Sequence, residues 1–119
     1  MRSVLITGGL GMIGSTLAHQ LVERGDRVML VDACLEPYGA KEYNIREIKD
    51  KVTVNIADIR DREAMKVLVH GQDVIFNLAA QVSHNDSMDN PFLDVDINYI
   101  GHLNVLECVR RYAPEAVIV

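Results

Sequence analysis

Gly8, Gly11 and Gly14 are spaced G-x-x-G-x-x-G, directly after the apolar run Val4-Leu5-Ile6 and directly before a helical pattern. Glycines at such a junction let the backbone turn tightly and come close to a bulky anion. The free N–H groups and positive dipole end of the following helix then hold negative charge, so the spacing predicts a turn that binds a diphosphate. Asp32 ends the next apolar run. It lies about 20 residues beyond the turn, where a carboxylate accepts hydrogen bonds from the ribose hydroxyls of a bound dinucleotide. A carboxylate there repels a 2′-phosphate, which points to NAD rather than NADP.

Other residues extend this chemistry less specifically. Asp58-Ile59 follows a third apolar run. The pair can offer a carboxylate to an adenine amino group and an apolar contact to its ring, or it can simply begin a helix-capping turn. Asn77-Leu78-Ala79-Ala80 ends a fourth run, and small residues there let the backbone pass close to a cofactor or to a helix. Ser83, His84 and Asp86 do not make a triad, because residues so close in sequence rarely align nucleophile, base and orienting acid. His19, His70 and His102 lack ligand spacing to Cys or acidic partners, so no metal site is expected. Asn98, one turn before His102, is either a buried amide that needs a partner or a solvated one.

The elements that must position these groups alternate. Strands are expected at Ser3–Thr7, Arg27–Val31, Val52–Asn55, Val74–Leu78 and Ala116–Val119. A helix from about Met12 to Gly25 carries Ile13, Leu17 and Leu21 on one face. A second, capped by Asp61, carries Ala64, Val67 and Leu68 and stops at Gly71. A third starts at Asn90-Pro91, with Asn as cap and Pro in the first turn, and runs to about Tyr112. The stretch Leu35–Lys51 has room for one short helix. Strand–helix alternation implies a doubly wound α/β fold of the Rossmann type: a parallel sheet of order 3-2-1-4-5 with helices on both faces. A ligand then lies across the carboxyl ends of the strands, where the order reverses between strands one and four.

At 119 residues, with 49% apolar and 24% charged residues, the chain suits one soluble globular domain. Its net charge of -5 argues against a nucleic-acid partner. No stretch is apolar for long enough to cross a membrane, and two widely separated cysteines fit a reducing compartment, so a cytoplasmic location is expected.

With these motifs in order, the chain resembles the extended short-chain dehydrogenase/reductase family, specifically its nucleotide-sugar epimerases and dehydratases. The residues that carry the resemblance are Thr7 to Gly14, Asp32, Asp58-Ile59-Arg60-Asp61, Leu78-Ala79-Ala80-Gln81, Ser87 with Asn90-Pro91, and Asn98 to Glu107. Ala80-Gln81-Val82 and Ser87 to Pro91 are similar to the CDP-tyvelose 2-epimerase branch. The resemblance implies that Gly8, Gly11, Met12 and Ile13 surround the NAD pyrophosphate while Gly14 lets the helix pack close. It implies that Asp32 holds the adenosine ribose, and Asp58 and Ile59 the adenine. Leu78, Ala79, Ala80 and Gln81 would line the nicotinamide-side ribose, supported by Asn98, with Ser87 on the nucleotide-sugar substrate side.

Three departures stand out: Met12 where Phe is usual, Ala33-Cys34 after Asp32, and His102 where Thr is common after Gly101. The family's catalytic Ser or Thr and its Tyr-x-x-x-Lys are also missing. None of Tyr38, Tyr43, Tyr99 and Tyr112 has Lys four residues later. The expectation is therefore a truncated, N-terminal NAD-binding domain, residues 1–119, of a nucleotide-sugar epimerase that is inactive alone. A 4,6-dehydratase or a non-catalytic NAD-binding module are the alternatives. An exposed edge on the fifth strand leads to an expected homo-oligomer.

Overall fold

The computed structural model describes residues 1–35, 40–80 and 84–119. Five strands, β1 (Ser3–Thr7), β2 (Arg27–Asp32), β3 (Val52–Ile56), β4 (Val74–Asn77) and β5 (Val117–Ile118), form one sheet of order β3-β2-β1-β4-β5. All pairs are parallel. The register sets Thr7 between Val31 of β2 and Asn77 of β4, so the carboxyl ends of the three central strands finish level.

The alternation of side chains along a strand splits the core into two layers. Val4, Ile6, Val28 and Leu30 face one way, onto Ala18 and Leu21 of α1 (Met12–Glu23) and onto Ile45 and Ile48 around the 3₁₀ turn Glu42–Ile45. Leu5, Val31 and Ile75 face the other way, onto Met65 and Val69 of α2 (Arg62–Val69) and Val105, Cys108 and Val109 of α5 (His102–Tyr112). Strand β1, covered on both faces, therefore reads as an unbroken apolar run.

The expected strands, their order and the helices on both faces are all present. The helix faces differ in detail. In α1 the buried row is Gly14, Ser15, Ala18 and Leu21, while Ile13 is 71% exposed. Gly14 needs the closest approach to the β1 turn, and Ile13, one step round the helix, swings out over the strand ends. In α2 the buried pair is Met65 and Val69, spaced i,i+4, and Val67 points outward.

The helix expected from Asn90 to Tyr112 is not uniform. It comprises α4 (Pro91–Val95), a π-helical segment (Asp96–Gly101) and α5. A short helix, α3 (His84–Asp89), precedes it. The π turn closes over Gly101, where an added Cβ would stand 3.1 Å from the Asp96 carbonyl oxygen. No periodicity argument flags such a wide turn, because it inserts one residue without changing which residue types are apolar.

Candidate functional site: a cleft at the sheet's switch point

The glycine turn is built by close backbone approach. Gly8 has φ +68°, and a Cβ there would lie 2.8 Å from the Leu78 carbonyl oxygen and 2.9 Å from the Ala79 nitrogen. A Cβ on Gly14 would land on the Gly8 carbonyl oxygen and 2.9 Å from Gly9 Cα. Gly11 caps α1 with extended backbone and no side-chain hydrogen bond, and no acidic residue lies in the first turn. The Ser15 amide is the first to bond back within the helix, to the Gly11 carbonyl at 3.0 Å. Among the described residues, the amides of Met12, Ile13 and Gly14 have no protein acceptor. The contrast with the capped helices is direct: Asp61 accepts from the Ala64 amide in α2, and Asn90 accepts from the Leu93 amide in α4. Of these three helices only α1 lacks a side-chain cap, and it presents its open donors and positive dipole end at the strand ends.

Asp32 stands opposite. Its Oδ2 accepts the Leu10 amide at 3.1 Å and its Oδ1 accepts the Cys34 amide at 2.9 Å. Each oxygen keeps a second lone pair, so the carboxylate can still accept from a diol. The Leu10 carbonyl in turn accepts from the Lys41 amide at 3.1 Å and from Asn44 Nδ2 at 2.9 Å. Cys34, at φ 55°, takes a left-handed backbone that its amide bond to Asp32 holds in place.

Asp58 is engaged by its neighbour Arg60, whose Nε and terminal nitrogen reach both carboxylate oxygens at 2.6–3.1 Å. The Arg60 side-chain hydrogen bonds hold the Asp58 carboxyl below its ordinary value of 3.8, against a smaller opposing effect of burial. Ile59 is buried under Gly101, and its carbonyl accepts from Asn104 Nδ2 at 2.6 Å.

The end of β4 is held by Thr7, which sequence reasoning quoted without giving it a role. Thr7 is fully buried, and its Oγ1 accepts the amides of Leu78 and Ala79 at 3.0 and 3.2 Å. A buried hydroxyl just before a glycine turn is the signal that could have identified it.

These pieces surround a cleft of about 590 Å³, within the size of small-molecule sites. Gly8, Gly11, Met12, Ile13, Gly14, Asp32, Asp58, Ile59, Leu78, Ala79 and Ala80 all line it. Gln81 lies outside the described residues. Ser87 sits half-buried on α3, away from the lining, and Asn98 is exposed on the π segment, where its Nδ2 donates to Asp94 Oδ1 at 2.6 Å. Ile97, the residue before Asn98, is the one that reaches the cleft. Lys41 and Asn44 also line it, brought in by the 3₁₀ turn, whose docking depends on the Leu10 carbonyl rather than on any sequence motif.

The cleft fits a dinucleotide on its own geometry. Open amides and side-chain-free turns face one side, and a carboxylate with spare lone pairs faces the other. Apolar residues form much of the wall between them. No group of three or more His, Cys, Asp or Glu residues among those described is placed to hold a metal ion. No helix among them is long and apolar enough to cross a membrane.

A family model described as GDP-mannose 4,6 dehydratase matches residues 5–118. CDP-paratose 2-epimerase of Salmonella typhi is 36% identical over 113 residues, 92% of this chain and 33% of that protein. A dTDP-glucose 4,6-dehydratase of Mycobacterium tuberculosis is 32% identical over 111 residues, again 92% of this chain and 33% of that protein. The crystal structure of Thermus thermophilus UDP-glucose 4-epimerase in complex with NAD superposes with a TM-score of 0.80 at 34% identity, covering 92% of this chain and 34% of that one. The fold and cleft define a Rossmann-type dinucleotide-binding architecture. The chain belongs to the extended short-chain dehydrogenase/reductase family of nucleotide-sugar epimerases and dehydratases. It spans about one third of the length of the curated relatives it matches.

Proposed function

We propose that residues 1–119 form the NAD-binding part of an NAD-dependent nucleotide-sugar epimerase. The observation that carries this reading is the uncapped start of α1, facing Asp32 across the cleft at the sheet's switch point. The amides of Met12, Ile13 and Gly14 bind the pyrophosphate, with Gly8 and Gly11 leaving room for it. Asp32 accepts the adenosine ribose hydroxyls, and Asp58 with Ile59 borders the adenine. Leu78, Ala79, Ala80 and Gln81 form the nicotinamide-side wall, which the π-helical segment meets with Ile97 rather than Asn98, and Ser87 stands toward the nucleotide sugar. Bound NAD would supply a hydride acceptor for transient oxidation of a sugar carbon; this chain's residues bind and orient it. No Tyr of the 119 residues is followed by Lys four positions on, so these residues alone bind cofactor without turning over a sugar.

We further propose that the protein is cytoplasmic, with no nucleic-acid or membrane partner. It is also proposed to form homo-oligomers, since Val117 and Val119 at the β5 edge and Phe92, Tyr99 and Leu103 on the long helix leave apolar surface exposed. Calorimetry with NAD and NADP tests the central reading. Binding of NAD in clear preference to NADP is expected, and no heat with either would overturn it.

A further inference from the structure

Asn77 links the buried Thr7 to His102, and the direction of each hydrogen bond follows from elementary valence. Thr7 Oγ1 already accepts two amides, from Ala79 and from Leu78, the latter shared with the Thr7 carbonyl oxygen at 3.2 Å. A hydroxyl offers two lone pairs and one proton. With both lone pairs used, its proton goes to Asn77 Oδ1 at 2.8 Å. This identifies the Asn77 atom facing Thr7 as the carbonyl oxygen. The atom 2.8 Å from His102 Nδ1 is then the amide nitrogen, which only donates. His102 Nδ1 must therefore be bare. Both the imidazolium and the Nδ1–H tautomer would set one proton against another.

We propose that His102 is a positioning residue, held as the neutral Nε2–H tautomer, that fixes the end of β4 through Asn77 and Thr7. The chain of bonds runs from α5 to β1. Thr7 and Asn77 are register partners on adjacent strands, and the same hydroxyl anchors the Leu78 and Ala79 amides. Those two residues are the backbone that Gly8 approaches so closely that no Cβ fits between. A shift of the β4 end is thus felt directly by the glycine turn. Removing the acceptor at His102 leaves the half-buried Asn77 amide without its partner and loosens the Leu78–Ala79 wall. The consequence for cofactor affinity rests on the NAD reading above; the tautomer and the positioning of β4 do not.

The test uses the 119-residue chain labelled with ¹⁵N and three readouts. Long-range ¹H–¹⁵N correlation of the unsubstituted protein, at neutral to mildly alkaline pH, reports which ring nitrogen of His102 carries the proton. Nε2 is expected, and a proton on Nδ1 overturns the proposal whether or not any variant folds. Amide hydrogen exchange is then compared in His102→Leu, which has no acceptor, and His102→Asn, whose Oδ1 replaces Nδ1. Leu78 and Ala79 are expected to exchange about fivefold faster in His102→Leu, the scale of one neutral hydrogen bond. Val105 in α5 should be unchanged, and His102→Asn should restore the slower rates. Equal rates in all three proteins, or a loss spread evenly over α5, overturns it. Last, NAD affinity is expected to fall about fivefold in His102→Leu and to recover in His102→Asn. Unchanged affinity beside altered exchange removes the link to cofactor. Absence of NAD binding by the unsubstituted chain overturns the functional reading, while the first two readouts still decide the positioning role.

Discussion

Asp32 Oδ2 accepts the amide of Leu10 at 3.1 Å, so the carboxylate proposed to hold the ribose also holds the glycine turn in shape. Leu10 is fully buried, so its amide depends on this carboxylate for an acceptor. Asp32→Ala should therefore act twice. Stranding the Leu10 amide costs about 1–3 kcal/mol of stability. On the proposed reading, removing the carboxylate also takes away the ribose contact and the repulsion of a 2′-phosphate. Calorimetry of Asp32→Ala should show weaker NAD binding and a smaller preference over NADP. Equal affinity for the two cofactors in the unsubstituted chain, unaltered by the substitution, would undo the ribose assignment.

Gly11 and Gly14 separate binding from folding. A Cβ at Gly14 meets the backbone of Gly8 and Gly9, which cannot yield without moving the turn. Gly14→Ala should lower the unfolding free energy by about 1–3 kcal/mol, as overpacking does. At Gly11 the nearest atom is the Gly8 carbonyl oxygen at 3.4 Å, an ordinary contact, and the residue lines the cleft. Gly11→Ala should leave the thermal midpoint close to that of the parent yet weaken NAD binding, because the methyl group takes space that the proposed pyrophosphate site needs. A Gly11→Ala protein that binds NAD as well as its parent would place the phosphates elsewhere.

The turn and Asp32 were legible because glycine, strand and carboxylate are each tied to a local backbone demand. The sheet order followed from alternation and handedness rules. Asn90 and Asp61 were readable as caps for the same local reason, and both bond as caps do. What could not be read depends on contacts distant in sequence. The Lys41 and Asn44 lining exists because the Leu10 carbonyl captures the 3₁₀ turn some thirty residues on. Ile97 rather than Asn98 enters the cleft because a π turn rotates the helix there. His102, noted only as an unusual residue, gains meaning from Asn77 across the sheet.

Gly101 offers a test of packing beneath the cleft. Alanine is favoured over glycine in a helix by about 1 kcal/mol. Here the new Cβ would lie 2.8 Å from Ile59 Cδ1 and 2.9 Å from Ile59 Cγ1, with the Asp96 carbonyl oxygen at 3.1 Å. The steric cost, about 1–3 kcal/mol, should exceed the propensity gain. Gly101→Ala is therefore expected to lower the denaturation midpoint. Ile59→Val removes Cδ1 and should relieve part of the clash, so the double variant should lose less than the two single losses added together. Strict additivity in chemical denaturation would show that Ile59 does not press on Gly101.

Asp58 has a defined acid signature. Its carboxyl titrates below 3.8 in the folded chain because Arg60 donates to both oxygens. For a lowered carboxyl the sign is fixed: the contribution is complete above the unfolded value and disappears as pH falls through the folded one. The pair is partly exposed, so salt and solvent reduce its size. Thermal midpoints of the parent and Asp58→Asn should differ most near neutral pH and converge as pH drops below 3.8. A gap that stays constant into strong acid would assign the loss to shape rather than charge.

Cofactor binding and sugar chemistry should come apart in this chain. The cleft holds groups suited to binding: open amides, a carboxylate for a diol and an apolar wall. Among the described residues that line it there is no phenol beside a lysine. Tyr43 and Tyr99 are exposed and do not line the cleft, the Tyr112 ring lies 5.1 Å from Lys66 Nζ and outside the cleft lining, and none has Lys four residues on. On the proposed reading, the base that takes the hydroxyl proton of a sugar while NAD accepts hydride is not among the described residues. The purified 119-residue chain, saturated with NAD and given UDP-, CDP- or dTDP-linked hexoses, should produce neither reduced cofactor absorbance nor an epimerised sugar by NMR. Inversion at any sugar carbon by this chain alone would require a base among the residues named here, and the division between binding and chemistry would fall.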